Sequence, residues 1–243
     1  MRRLLLAACL LSIATPALAG GVNLAWGERC WPDNPIDWRS FACDTNGGIE
    51  QLTGSFRLYA DLQGFFGIEA IVDLWSPGTL LPDWWQLWNP GACRESSLTA
   101  TWDFSTSPPG RCPSPWQGQV VGGIGAYQTA LFPPPTGIVS APYRGRIKLA
   151  FVMPTDRTTL SRTLEYRAFR LAIDHQRTVG DSPCTGCAAG VCLQLSQIMV
   201  LGDSYMAISA PAVNRLLEWN GPAMCLGDPV RNTTWGRVKS LYR

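Results

Sequence analysis

Arg144-Gly145-Arg146-Ile147-Lys148-Leu149-Ala150-Phe151-Val152-Met153 is the stretch on which the fold turns. Ile147, Leu149 and Phe151 stand on one parity, Arg146 and Lys148 on the other. A period of two gives a strand one buried and one wetted face. Outward from this stretch, runs rich in β-branched and aromatic residues recur at Val22 to Trp26, Ile49 to Leu58, Gly67 to Trp75, Ser97 to Phe104, Gln119 to Leu131, Thr163 to His175 and Val191 to Leu201. Turn residues separate them. Eight strands and few helices predict an all-β chain: an antiparallel β-sandwich, jelly-roll or Ig-like, with one or two short helices and disulfide staples. Within Thr163 to His175, Leu164 and Tyr166 share one parity while Phe169, Leu171 and Ile173 share the other. That phase change predicts a β-bulge near Ala168.

Helical signal is confined to two places. Leu81 to Trp88 reads as one short turn or helix, with Pro82 near its first position and Asp83 in its first turn. Pro211 to Trp219 reads as the other, closed by Asn220-Gly221-Pro222. Phe132 to Gly137, with three consecutive prolines, reads as a stiff surface connection. The expected organisation is a leader over 1–19, a sandwich over 20–205, and a C-terminal extension over 206–243 that packs on it.

The 243 residues are 46% hydrophobic and 16% charged, a balance that excludes a coiled coil, a collagen and a disordered tail. Met1-Arg2-Arg3, the apolar run Leu4 to Ile13 and the small-x-small step Ala17-Leu18-Ala19 read as a secretory signal peptide with maturation at Gly20. A rival reading places a lipid on Cys9 after Leu6-Ala7-Ala8, although the apolar stretch before it is short for such a leader. No later run is long enough for a transmembrane helix. Without Arg2 and Arg3, 18 basic and 18 acidic side chains cancel, so general attraction to nucleic acid or anionic lipid has no basis. The expected location is secreted, periplasmic or cell-surface.

Eight mature cysteines remain: Cys30, Cys43, Cys93, Cys112, Cys184, Cys187, Cys192 and Cys225. In an oxidising compartment they predict four disulfides, whose connectivity sequence does not fix. Neighbour pairing is the simplest assignment: Cys30 with Cys43, Cys93 with Cys112, Cys184 with Cys192 and Cys187 with Cys225. The Cys184-Thr185-Gly186-Cys187 step also admits a redox pair, or a zinc site with Cys192 and Cys225, but turn residues surround it and a second close pair is missing. No metal and no cofactor is expected.

Catalytic motifs are few. Val200-Leu201-Gly202-Asp203-Ser204-Tyr205 resembles the nucleophile block of GDSL-type esterases. That chemistry needs a general base, and the single His, His175, lies upstream directly after Asp174. Glu69 and Asp73 share a strand face, yet about 13 Å of backbone separates them at roughly 3.3 Å per residue, too far for a glycosidase carboxylate pair. Gly122-Gly123-Ile124-Gly125 lacks the Lys-Ser/Thr end of a phosphate loop. Enzyme activity, as a secreted hydrolase, is therefore the minor expectation.

Eleven tryptophans are the strongest binding signal. Trp84, Trp85 and Trp88 cluster beside Trp75, with Asp83 and Gln86 between them. Exposed, the rings form a sugar-stacking platform to which Asp83 and Gln86 add hydrogen bonds; buried, they are core pieces. Gly21-Val22-Asn23-Leu24-x-Trp26, Pro82 to Gln86, the Cys184-x-x-Cys187-x4-Cys192 loop and Thr234 to Arg243 together resemble a set of exported bacterial proteins without assigned activity. The resemblance implies export and transfers no site residue. Trp235, Val238, Leu241 and Tyr242 would share one face of a short terminal helix, with Arg237, Lys239 and Arg243 around them; residues 233–243 either dock on the sandwich or act as a recognition tail. The expected function is an exported structural or binding module, with a glycan or cell-surface component as partner, or alternatively a carbohydrate-binding module.

Overall fold

Alternating apolar residues close two sheets on each other. The structure, a computed structural model, describes residues 20–30, 33, 35–107, 110, 112–132, 139–220 and 225. The expected leader, the Cys9 site, most of the triple-proline connection and the terminal tail lie outside them. With strands numbered in chain order, the smaller sheet runs β1 (Gly21–Trp26), β3 (Ile49–Arg57), β10 (Glu165–Asp174), β6 (Leu98–Thr101), all antiparallel. The larger runs β2 (Trp38–Arg39), β13 (Leu216–Trp219), β11 (Val191–Leu201), β5 (Gly67–Trp75), β8 (Val139–Val152), β7 (Val121–Phe132). Strand β12 (Tyr205–Ile208) pairs with the far end of β11, and β4 (Leu62–Phe65) with β9 (Thr158–Leu160) forms a separate ribbon.

The core is the facing parity of both sheets. Leu52, Phe56, Phe169 and Leu171 from the smaller sheet meet Ile68, Val72, Leu149, Phe151, Leu195 and Ile198 from the larger, all buried. Each such side chain contributes about 1.5–3 kcal/mol on leaving water. Gly54 sits where the Phe169 ring crosses β3, and a Cβ there would lie 2.4 Å from that ring. The expected bulge is present: β10 slips one residue against β3 between Arg167 and Phe169, at Ala168. In consequence Arg167 and Arg170 both face outward from the smaller sheet. The turn at Pro82 is a single 3-10 turn, Asp83–Trp85.

Two expectations need correction. Pro211 to Trp219 is not helical; Leu216 to Trp219 form β13, and all four are buried. Covered on both faces, this strand shows no alternation. Strands β12 and β13 carry the larger sheet past residue 205 rather than packing a separate extension on it.

Four disulfides are present, as expected of a chain that folds in an oxidising compartment, but each neighbour pairing is wrong. The bonds are Cys30–Cys112, Cys43–Cys187, Cys93–Cys184 and Cys192–Cys225. Three of them span 82, 144 and 91 residues: loops that meet at one end of a sandwich come from strands distant in sequence. With Cys184 and Cys187 bonded to different partners, the redox and zinc readings of that loop fall too. Among the described residues, no helix is long and apolar enough to cross a membrane.

Candidate ligand-binding cleft

The proposed tryptophan platform is folded inward. Trp84 and Trp85 have no exposed surface, and Trp88 is half-buried. Trp84, Trp85, Trp219 and Trp26 pack in a chain of rings with centroids 5.0 to 5.7 Å apart. The fully buried Arg94 guanidinium lies 3.6 Å over Trp84 and donates to the carbonyls of Trp84 and Asp174. Burial pushes its pKa down to about 10, against the pull of Asp174. Asp83 and Gln86 are occupied locally: Asp83 accepts from Gln86 and Thr185, and Gln86 donates to the Leu81 carbonyl and accepts from Asn89. These five residues build the closed end of the sandwich, and buried indole faces cannot stack on a ligand.

His175 belongs to the same end. Its ring stacks on Phe41 at 3.7 Å, Nδ1 meets the Gly47 carbonyl at 3.0 Å, and Nε2 lies 3.7 Å from Glu50, which also pairs with Arg39. A carbonyl only accepts, so in the neutral ring Nδ1 carries the proton. Ser204 is exposed in the turn after β11, whereas His175 packs near Trp84 and through it Trp219, which pairs with Val191 at the start of β11. The ten steps of β11, at about 3.3 Å each, put roughly 33 Å between its two ends. Ser204 and His175 form no nucleophile–base pair. Asp73 is engaged as well: Arg146 binds both its oxygens at 2.6 and 2.9 Å, and Ser196 donates to it at 2.6 Å. The bond to Asp73 raises the Arg146 pKa.

A cleft of about 430 Å³ opens elsewhere, beside Arg167 of β10. It is lined by Arg167 of β10 and by described residues of the connection from β6 to β7, between Trp102 and Trp116. The Ala168 bulge builds the junction: the Ala168 carbonyl accepts from the Trp116 indole N–H at 2.8 Å, seating Trp116 against Phe65 and Phe151. Trp116 is thereby mostly buried, and Trp102 is partly buried and packs against the core. Phe104 lies beneath the guanidiniums of Arg167 and Arg170, at 5.6 and 5.9 Å. The Cys30–Cys112 disulfide ties the wall to the loop after β1.

Polar groups converge on the same space. Arg170 pairs with Glu28 at 2.5 Å and donates to the Asp103 carbonyl. Asp103 is exposed at the rim; it accepts the Ser105 backbone N–H at 2.8 Å, and this bond lowers its pKa. Ser107 and Ser114 accept from Arg170 and from the Trp116 backbone N–H. Cys30, Asp33 and Cys112 also come within 4.8 Å of one another, but the two sulfurs are bonded to each other and offer no thiolate to a metal. The sequence reading missed Trp102, Phe104, Trp116, Arg167 and Arg170. The available signal was length: a 19-residue connection holding a cysteine and two tryptophans exceeds what joining two strands requires.

No protein-family model and no curated protein matches the chain. Among solved structures, the cohesin module of a family 33 glycoside hydrolase from Clostridium perfringens is similar at 5% identity, over 83% of this chain and 98% of that one, with a TM-score of 0.32. A likeness that slight carries no inference about what the chain binds.

Proposed function

We propose that the chain is an exported, non-catalytic binding module that holds its ligand in the cleft lined by Trp102, Phe104, Trp116 and Arg167. The observation that carries this reading is a concave site of about 430 Å³ lined by aromatic rings, serine hydroxyls, the Asp103 carboxylate and the Arg167 guanidinium. Small-molecule sites commonly measure about 300–1,000 Å³ and combine apolar walls with a few oriented polar groups. The wall is covalently pinned by Cys30–Cys112, so the site is preorganised and loses little entropy on binding. The leader sequence and the four disulfides support export. A hydrolytic role is disfavoured by the positions of His175 and Ser204 at opposite ends of the molecule.

The test is ligand-induced thermal stabilisation of the oxidised protein across a panel of glycans, peptides and anionic small molecules. At least one class should raise Tm in the wild type and not in Trp102→Ala. A panel without response, or a response that Trp102→Ala leaves intact, overturns the reading.

A further inference from the structure

The strands that end the sheets are protected unequally. A terminal strand leaves one row of N–H and C=O groups without a ladder partner, and proteins keep such rows short, charged or covered. On β1 the Val22 and Leu24 N–H groups donate to the Ala210 and Asn214 carbonyls, and the Val22 carbonyl accepts from Ala212, so residues 210–214 cover that edge. β6 and β12 have four residues each, β2 has two, and the β4–β9 ribbon has four and three. β7 has twelve, from Val121 to Phe132, and ends the larger sheet beside β8. Among the described residues no backbone hydrogen bond reaches its other side, and Val121, Gly122, Gly125 and Gln128 on it are exposed.

Charge does not guard this edge either. From Cys112 to Tyr143 the sequence holds no Asp, Glu, Lys, Arg or His, in a chain that is 16% charged. The one protective device is a bulge: β7 slips a residue against β8 at Gly125, and the added twist interrupts any strand lying alongside. Past it, Ala126-Tyr127-Gln128-Thr129-Ala130-Leu131-Phe132 contains no Gly, no Pro and no charge, a composition prone to strand pairing. An occupant must bring an extended, uncharged run with its own unpaired row of donors and acceptors. The same segment of a second copy meets both conditions. Set antiparallel about a two-fold axis, each N–H row meets a C=O row and no like charges are opposed. Such a contact uses the same edge on both copies and closes at two.

We infer that two copies of this chain associate through β7, pairing antiparallel along Ala126–Phe132 and joining their larger sheets into one. No residue of β7 lines the cleft, so the two readings stand or fall separately. An edge contact buries little area, which sets a weak dissociation constant of about 10–100 µM. Analytical ultracentrifugation of the oxidised protein between about 1 µM and about 1 mM should show the average mass rising reversibly from one chain toward two. Hydrogen exchange of β7 amides should slow severalfold across that range while β6 amides stay unchanged. Gln128 is exposed and one residue from the midpoint of the run, so Gln128→Lys and Gln128→Glu each bring like charges together across the axis. At low salt each should weaken association about fivefold with unchanged circular dichroism and Tm, and an equimolar mixture of the two should restore it. A mass of one chain at every concentration, growth beyond two chains, association that leaves β7 exchange unchanged, dimers indifferent to both substitutions, or a mixture no more associated than its components would each overturn the inference.

Discussion

Two tryptophan clusters occupy this molecule and behave in opposite ways. At the closed end, Trp26, Trp84, Trp85 and Trp219 are at most 1% exposed, and three of their indole N–H groups donate inside the protein, to the Glu218 carbonyl, Thr178 Oγ1 and the Cys187 carbonyl. At the cleft, Trp116 is pinned by one such bond while Trp102 keeps part of its surface in water. The difference lies in what covers the rings. Two disulfides, Cys43–Cys187 and Cys93–Cys184, join loops at the first cluster, whereas one, Cys30–Cys112, ties the second to the loop after β1. Tryptophan abundance is therefore a packing signal at the closed end, whereas at the cleft one ring stays partly exposed. The sharpest test is a paired substitution. Trp219→Ala should cost about 3–5 kcal/mol, as large buried aromatics do, whereas Trp102→Ala, at a partly exposed ring packed on the core, should cost less, about 1–2 kcal/mol. Denaturant unfolding measures both, and equal costs would erase the distinction.

Removing disulfides separates the regions next. Replacing both cysteines of Cys43–Cys187 or of Cys30–Cys112 by serine should destabilise by about 2–5 kcal/mol in either case. Only the Cys30→Ser/Cys112→Ser protein should also lose ligand-induced stabilisation, because of the two disulfides only that one reaches a residue lining the cleft. Loss in both proteins, or in neither, would show that the wall is held by something other than its disulfide.

The strands were legible because burial on one face leaves a period of two in the sequence. β5 and β11 occupy the expected ranges, and the parity switch in β10 located the Ala168 bulge. Leu216 to Trp219 were not legible, since a strand covered on both faces loses its alternation. The strands β2, β4, β9 and β12, of four residues or fewer, are too short to show a period. Cysteine partners were hidden because pairing follows which loops meet in space. The cleft was hidden for the same reason: Trp102, Trp116 and Arg167 line one space only after β10 bulges and takes the Trp116 indole on its Ala168 carbonyl. Ring exposure, which decides between the two tryptophan clusters, has no local sequence code.

The smallest effects separate the regions by pH. Tyr127 donates to the Trp85 carbonyl at 3.0 Å within the closed end, and burial raises its pKa well above 10. A folded-state pKa above the unfolded one gives stability that is complete below about pH 10 and lost as pH rises beyond it. Tyr127→Phe should thus cost about 1 kcal/mol near neutrality, the worth of one hydrogen bond, and should flatten the alkaline limb of stability against pH. Asp103 at the cleft rim has the reverse sign. Its pKa is lowered by the Ser105 N–H, so its contribution is present above the unfolded carboxylate pKa, about 3.9, and disappears as pH falls through the lower folded value. Asp103→Asn should leave the alkaline limb unchanged and flatten only the acid limb, by a smaller amount because the group is exposed to solvent. Urea titrations of the two variants between about pH 3 and pH 11 read both limbs, and an alkaline change in Asp103→Asn or an acid change in Tyr127→Phe would mean that the closed end and the cleft are coupled.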